Sequence, residues 1–275
     1  MKYKFMRFPG GLAKAMTLSY DDGAPADRRM IEILNRYSLK CTFNLSCCDE
    51  QTASVYEGHE IALHTAYHAA PGKLSVADGI KNVLDCKLSL EKGLGRIVRG
   101  MAYPDSGITS FQSGVTYEQI RDYVSALGVV YSRSLGGDND SFSVPLDWLN
   151  WIPTCHHTNP KTFEYLDKFL ALDVNSCYCG ERHPRLFYMW GHSFEFENDN
   201  PERNWEMLER FCREASGRDD VWYATNMELY EYITAFRSLV WSSDSTIVYN
   251  PTLFDVWFDI DGKLYCVASG ETKTL

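Results

Sequence analysis

Long apolar runs are missing from this chain. None of its 275 residues begins an uninterrupted hydrophobic stretch approaching the roughly 20 residues that cross a bilayer, so no transmembrane anchor is expected. Positive charge is also scarce: 27 lysines and arginines stand against 37 aspartates and glutamates, a formal net charge of −10. Nucleic acids and anionic membranes recruit basic patches, so neither is an expected partner, whereas a neutral or cationic substrate is compatible. Regular cysteine spacing is absent too. Cys41, Cys47, Cys48, Cys86, Cys155, Cys177, Cys179, Cys212 and Cys266 are odd in number and scattered, which argues against a disulfide framework and for reduced thiols. No signal-peptide core follows the basic start Met1 to Arg7, because Pro9-Gly10-Gly11 interrupts it. A cytoplasmic location is expected on these grounds, and an exported one if a leader precedes residue 1. Internal repeats and low-complexity segments are not seen; the oligomeric state has no signature.

What is present is an ordinary globular composition, 45% hydrophobic and 23% charged, with a generous 14% of aromatic residues. Short apolar runs that read as strands, at 15–20, 40–45, 60–63, 96–103, 129–131, 184–190 and 221–224, alternate with helical periodicity at 26–37, 76–92, 117–127, 162–172, 204–215 and 227–240. Such alternation implies βα units and a largely parallel sheet or barrel. Beyond about residue 245 the pattern turns to β alone: 246–249, 256–260 and 263–267 read as strands, with Asp261-Gly262 as a hairpin turn. The expected division is 1–243 for the α/β part and 244–275 for a small C-terminal β appendage.

The organising stretch is Glu60 to His68. His64 and His68 stand four residues apart directly after an apolar run; on a helical turn they would share a face and could reach one metal ion. In parallel α/β folds functional groups gather at the carboxyl ends of strands. Asp21-Asp22, His64/His68, Tyr103-Pro104-Asp105 and His192 all follow predicted strands at that end, and together they point to a site. Cys155-His156-His157, and Cys177-Tyr178-Cys179 with His183, carry metal-type residues without the paired spacing of a structural zinc site. His156 or His157 could line a groove, Glu195 or Glu197 could orient His192, and His59 and Glu60 read as structural.

Leu18-Ser19-Tyr20-Asp21-Asp22-Gly23 and His64-Thr65-Ala66-Tyr67-His68, in that order, resemble the first two motifs of the polysaccharide deacetylases, carbohydrate esterase family four. The resemblance spans roughly residues 12 to 240 and implies an irregular (β/α) barrel of about seven parallel strands. It further implies that Asp22, His64 and His68 hold one divalent metal ion, zinc with cobalt or nickel as alternatives. Asp21 would be the general base and His192 the general acid. Asp147-Trp148 resembles a fourth motif, Trp190 would wall the acetyl pocket, and Tyr103 with the backbone N–H of Asp105 would face the substrate's oxyanion. One departure stands out: Ala102 occupies the place of the arginine that orients the base, and Arg99, nearby in sequence, has no assured approach. The implied activity is removal of N- or O-acetyl groups from a glycan, an amino-sugar polymer or oligomer. Alternatives are hydrolysis of a small amide, a catalytically impaired glycan-binding protein, and a non-haem iron oxygenase, which also uses two histidines and a carboxylate.

Overall fold

The computed structural model describes residues 3–112, 114–178 and 181–275. In chain order its elements are β1 (Lys4–Arg7), β2 (Lys14–Asp21), α1 (Asp27–Arg36), β3 (Thr42–Leu45), α2 (Glu50–Ala53), β4 (Glu60–Leu63), α3 (Val76–Leu94), β5 (Gly100–Ala102), α4 (Tyr117–Ala126), β6 (Tyr131–Arg133) and β7 (Cys155–His156). There follow α5 (Thr162–Ala171), β8 (Arg185–His192), α6 (Trp205–Ala215), β9 (Val221–Tyr223), α7 (Asn226–Arg237), β10 (Val240–Trp241), β11 (Ile247–Tyr249), β12 (Val256–Ile260), β13 (Lys263–Val267) and β14 (Thr272–Thr274).

Local chemistry accounts for the helices. Met30, Ile31, Ile33 and Leu34 place one buried stripe along α1. Ser75 caps the start of α3 by accepting from Asp78 N–H, and Gly95, at φ 62°, ends it in a left-handed turn that a side chain would strain. Thr116 with Gln119, and Thr225 with Glu228, form reciprocal capping boxes at α4 and α7.

The principal sheet is parallel throughout, in the order β6-β5-β4-β3-β2-β8-β7, with β9 also pairing β2. All eight residues of β2 are buried, as suits a central parallel strand. A parallel bridge between Arg133 and Trp151 ties the segment leading into β7 back to β6, so the curled sheet is joined across its open side. Helix α7 closes the amino-terminal end. Its buried Asn226 accepts from Thr17 Oγ1 and donates to Tyr188 Oη, both at 2.8 Å, while Thr42 Oγ1 receives its backbone N–H. The expected α/β barrel is thus the observed one, with small antiparallel sheets added.

Those additions involve both ends of the chain. One sheet runs β1-β12-β13 and the other β10-β11-β14. Lys4 pairs with Ile260 in the first, a long-range partnership no local pattern announces. Helix α7 stops at Arg237, short of residue 240, because Val240 and Trp241 pair with Val248 and Tyr249. Strand β5 is only three residues long, and β6 begins at Tyr131 where the apolar run was read as ending. That two-residue shift has consequences for the site.

Replacing Asn226 by alanine leaves Thr17 and Tyr188 without their buried partner. The variant is expected to lose about 1–3 kcal/mol of stability, measured as a lower urea midpoint with an unchanged slope.

Candidate active site

Strand ends bring the polar residues together. At the end of β2 the chain turns through Asp22 (φ 79°) and Gly23 (φ 65°), so the neighbouring carboxylates diverge. Asp21 is buried and points inward, whereas Asp22 is exposed. Asp22 Oδ1 lies 3.5 Å from His64 Nε2 and 3.3 Å from His68 Nε2. The two imidazoles converge without a helix. The segment after β4 is a loop in which Thr65 (φ 60°) and His68 (φ 48°) adopt left-handed backbone, and Asn82 of α3 clamps it: its side-chain oxygen accepts from Tyr67 N–H at 2.9 Å and its amide donates to Ala69 O at 3.2 Å. The helical turn expected from the spacing is corrected to a clamped loop that achieves the same convergence.

His64 shows why a cation fits here. Its Nδ1 donates to the carbonyl of Ala102 at 3.0 Å, so Nε2 presents a lone pair. Burial, partly offset by Asp21, lowers its pKa and keeps the ring neutral. Bare nitrogen and carboxylate then face one another, acceptor against acceptor, unless a cation lies between them. In a tetrahedral zinc site with bonds near 2.0–2.1 Å, ligand atoms stand about 3.3 Å apart, and the two Asp22 distances match that edge. Asp22, His64 and His68 are therefore a fitting donor set for a borderline divalent metal.

Asp21 is held by a different group of partners. Asn44 Nδ2 donates to its Oδ1 at 2.8 Å, Arg133 Nη2 forms a short ion pair with Oδ2, and His64 Nε2 lies 3.8 Å away. Burial alone would push this carboxyl up, but Arg133, then His64 and His192, hold it below its ordinary value. Arg133 is itself buried, with its guanidinium 4.0 Å from the Trp190 ring. It stands directly across the sheet from Ala102, its register partner. The arginine missing from β5 is thus supplied by the next strand, on the same row. Arg99 instead pairs with Glu231 of α7 at 3.3 Å. Extending the strand read at 129–131 by two residues would have placed Arg133 at the functional end.

His192 ends β8 with Nδ1 3.0 Å from Glu195 Oε2 and Nε2 3.9 Å from Asp22 Oδ2. Burial lowers its pKa, but Glu195, Asp21 and Asp22 outweigh that and raise it overall. Glu195 also accepts His192 N–H at 3.2 Å and faces His156 and His157, which more than offset its own burial and hold it well below the usual carboxylate range. Glu195 is therefore the residue that orients His192, while Glu197 is exposed. Trp190 stands within 5.9 Å of His192 and 4.5 Å of His156, ring to ring, and so belongs to the site's wall.

Other expected residues lie elsewhere. Trp148 packs at 5.0 Å on both Trp151 and Tyr230, with Arg237 above its ring, against the helix that closes the opposite end. Asp147 caps the turn Trp148–Asn150 and accepts from Tyr117 Oη at 2.5 Å. The Asp147-Trp148 pair is therefore structural: its local match carries no information on where the long loop after β6 leads. The Tyr103 ring is buried in the core, leaving only backbone at that position for a substrate, and Asp105 is exposed on the following loop at φ 49°. His59 and Glu60 serve the fold, bonded to Cys41 N–H and to Tyr131, Thr42 and Met227. His183 packs edge-on against Phe5 at 5.0 Å, and Cys179 lies outside the described residues.

His68 is the exposed member of the donor set. His68→Ala is expected to weaken zinc binding by at least about 100-fold while changing unfolding free energy by less than about 0.5 kcal/mol. Competition with a chromophoric chelator and a urea titration measure the two.

Residues 10–130 match the polysaccharide deacetylase family, which bears out the resemblance carried by Asp21-Asp22 and His64/His68. The matched span ends before Arg133, His192 and Glu195. No curated protein matches the chain. Among solved structures, a candidate polysaccharide deacetylase from Mycobacterium smegmatis aligns over 86% of this chain and 96% of its own, at 16% identity and a TM-score of 0.56, and shares the fold. A family 4 acetyl xylan esterase from Clostridium thermocellum, in complex with a cobalt ion, aligns over 79% and 90% at 16% identity and a TM-score of 0.46. The wild-type pseudoenzyme BA3943 of the same esterase family, from Bacillus anthracis, aligns over 82% and 68% at 15% identity and a TM-score of 0.47.

Proposed function

With the polysaccharide deacetylase match over residues 10–130 as premise, we propose that the protein is a metal-dependent hydrolase that removes N- or O-acetyl groups from a carbohydrate, most plainly an amino-sugar polymer or oligomer. The observation that carries this reading is the division of labour between adjacent carboxylates. Asp22 faces His64 and His68, while Asp21 is held apart by Arg133 and Asn44. A divalent ion held by Asp22, His64 and His68 would supply Lewis acidity toward the acyl oxygen and a water.

The chain's own groups do the rest. Asp21, kept ionised by Arg133, takes the proton from the attacking water. His192 gives a proton to the departing amine or alkoxide; Glu195 holds Nδ1–H, so the proton leaves from Nε2, the atom that faces Asp22. The raised pKa of His192 keeps it protonated toward neutral pH. Trp190 bounds the acyl group, and the backbone N–H of Asp105 is the proposed oxyanion donor, a role that needs no side chain. Because Arg133 does for Asp21 what position 102 cannot, Ala102 gives no ground for assuming a catalytically impaired protein.

Acetate release from an acetylated chito-oligosaccharide is the test. Chelator is expected to abolish it, and Asp21→Asn to lower kcat by about 10²–10⁴. Unchanged acetate release in Asp21→Asn would overturn the assignment of the base. Arg133→Met removes the charge that depresses Asp21. A base stops working as pH falls through its pKa, so raising that pKa should move the acidic limb of the kcat profile to higher pH, read by rate measurements in variants shown to be folded by their thermal transitions.

A further inference from the structure

We propose that His156, His157 and Glu195 form a second site for a borderline divalent cation, zinc or cobalt in character, separate from Asp22, His64 and His68. His156 and His157 stand at the end of β7, and Glu195 lies in the 3-10 turn Ser193–Phe196 directly after β8. Glu195 Oε2 lies 3.2 Å from His156 Nε2 and 3.4 Å from His157 Nε2. Both values again match the roughly 3.3 Å edge of a tetrahedral site with bonds near 2.0–2.1 Å.

His157 points to a ligand independently of those distances. It is 0% exposed, and among the described residues neither ring nitrogen has a hydrogen-bond partner. Few buried polar atoms are left in that state, because an unpaired one costs about 1–3 kcal/mol. Its neighbours allow no escape. Tyr20 and Phe196 stack on it at 5.6 and 4.3 Å, and the backbone of Gly191 sits where any side chain would collide with the ring. A ring buried this completely is disfavoured from carrying charge, so it is neutral and keeps a lone pair. A cation drawn to the ionised Glu195 would accept that lone pair.

His156 can supply the third bond in one tautomer. Its Nδ1 lies 2.7 Å from Thr158 Oγ1, which can accept the ring proton and leave Nε2 bare. Thr158 N–H, 3.2 Å from the same Nδ1, favours the other tautomer in the absence of metal, so loading exchanges that bond for a metal–nitrogen bond. Two imidazoles and one carboxylate suit zinc, cobalt, nickel or ferrous iron rather than calcium or magnesium. The same Glu195 oxygen holds His192, so occupancy of this site would loosen that residue.

The 275-residue chain, stripped with chelator and titrated with cobalt, is expected to bind two equivalents, by calorimetry and by metal analysis after gel filtration. His68→Ala should keep the equivalent at His156, His157 and Glu195. His156→Ala, a partly exposed position, and Glu195→Gln should each weaken that equivalent at least about tenfold while retaining the one at His68. Far-ultraviolet spectra establish that the variants are folded. A single equivalent in wild type that vanishes in His68→Ala would overturn the proposal. So would a second equivalent that survives in both His156→Ala and Glu195→Gln, or one with a thiolate-to-cobalt charge-transfer band. No acetate assay enters, so a catalytically silent protein would still report on the site.

Discussion

An ionised group taken out of water must be answered nearby by opposite charge and hydrogen bonds. At the end of β2 that demand falls on Asp21, buried beside a second carboxylate, and Arg133 meets it from β6 with Asn44 completing the shell. Much of the surrounding architecture serves this pair. Trp190 covers the guanidinium from β8, and the backbone of β5 sets Ala102 across from Arg133, with room for its side chain to pass. Without the arginine, a buried Asp21 would be driven toward its protonated form and could not accept a proton.

The exposed half of the site follows opposite rules. Asp22 and His68 remain in contact with solvent, and only His64 is buried among the three. The rigid member is locked from behind by the carbonyl of Ala102, which sets its tautomer, while the loop bearing His68 is pinned by Asn82. Position 102 thus serves His64 through its backbone carbonyl, while its small side chain leaves Asp21 to Arg133. Such backing of a ligand by an outer contact is how protein metal sites gain both geometry and affinity.

Glu195 links the two halves of this polar region. One of its oxygens gathers His192, His156 and His157, which makes it strongly acidic and makes His192 more basic. Tyr20, Phe196 and Gly191 enclose His157 in the core, while His156 and Glu195 remain partly exposed beside it.

How much was legible in the linear chain depended on the range of the forces involved. The βα alternation and the placement of Asp21, Asp22, His64 and His192 after strands rest on short-range periodicity and turn chemistry, so they could be read directly. The convergence of His64 and His68 was legible, but the helical turn assumed for it was not the true device; left-handed backbone at Thr65 and His68 achieves it. Arg133 escaped notice because its importance arises only when two strands lie side by side and bring it opposite Ala102. The same limit explains Trp148, whose motif-like neighbour could not reveal that the intervening loop carries it to the far end of the barrel. Residue type and spacing determined which chemistry was on offer; sheet register, a non-local property, decided which side chains share a charge.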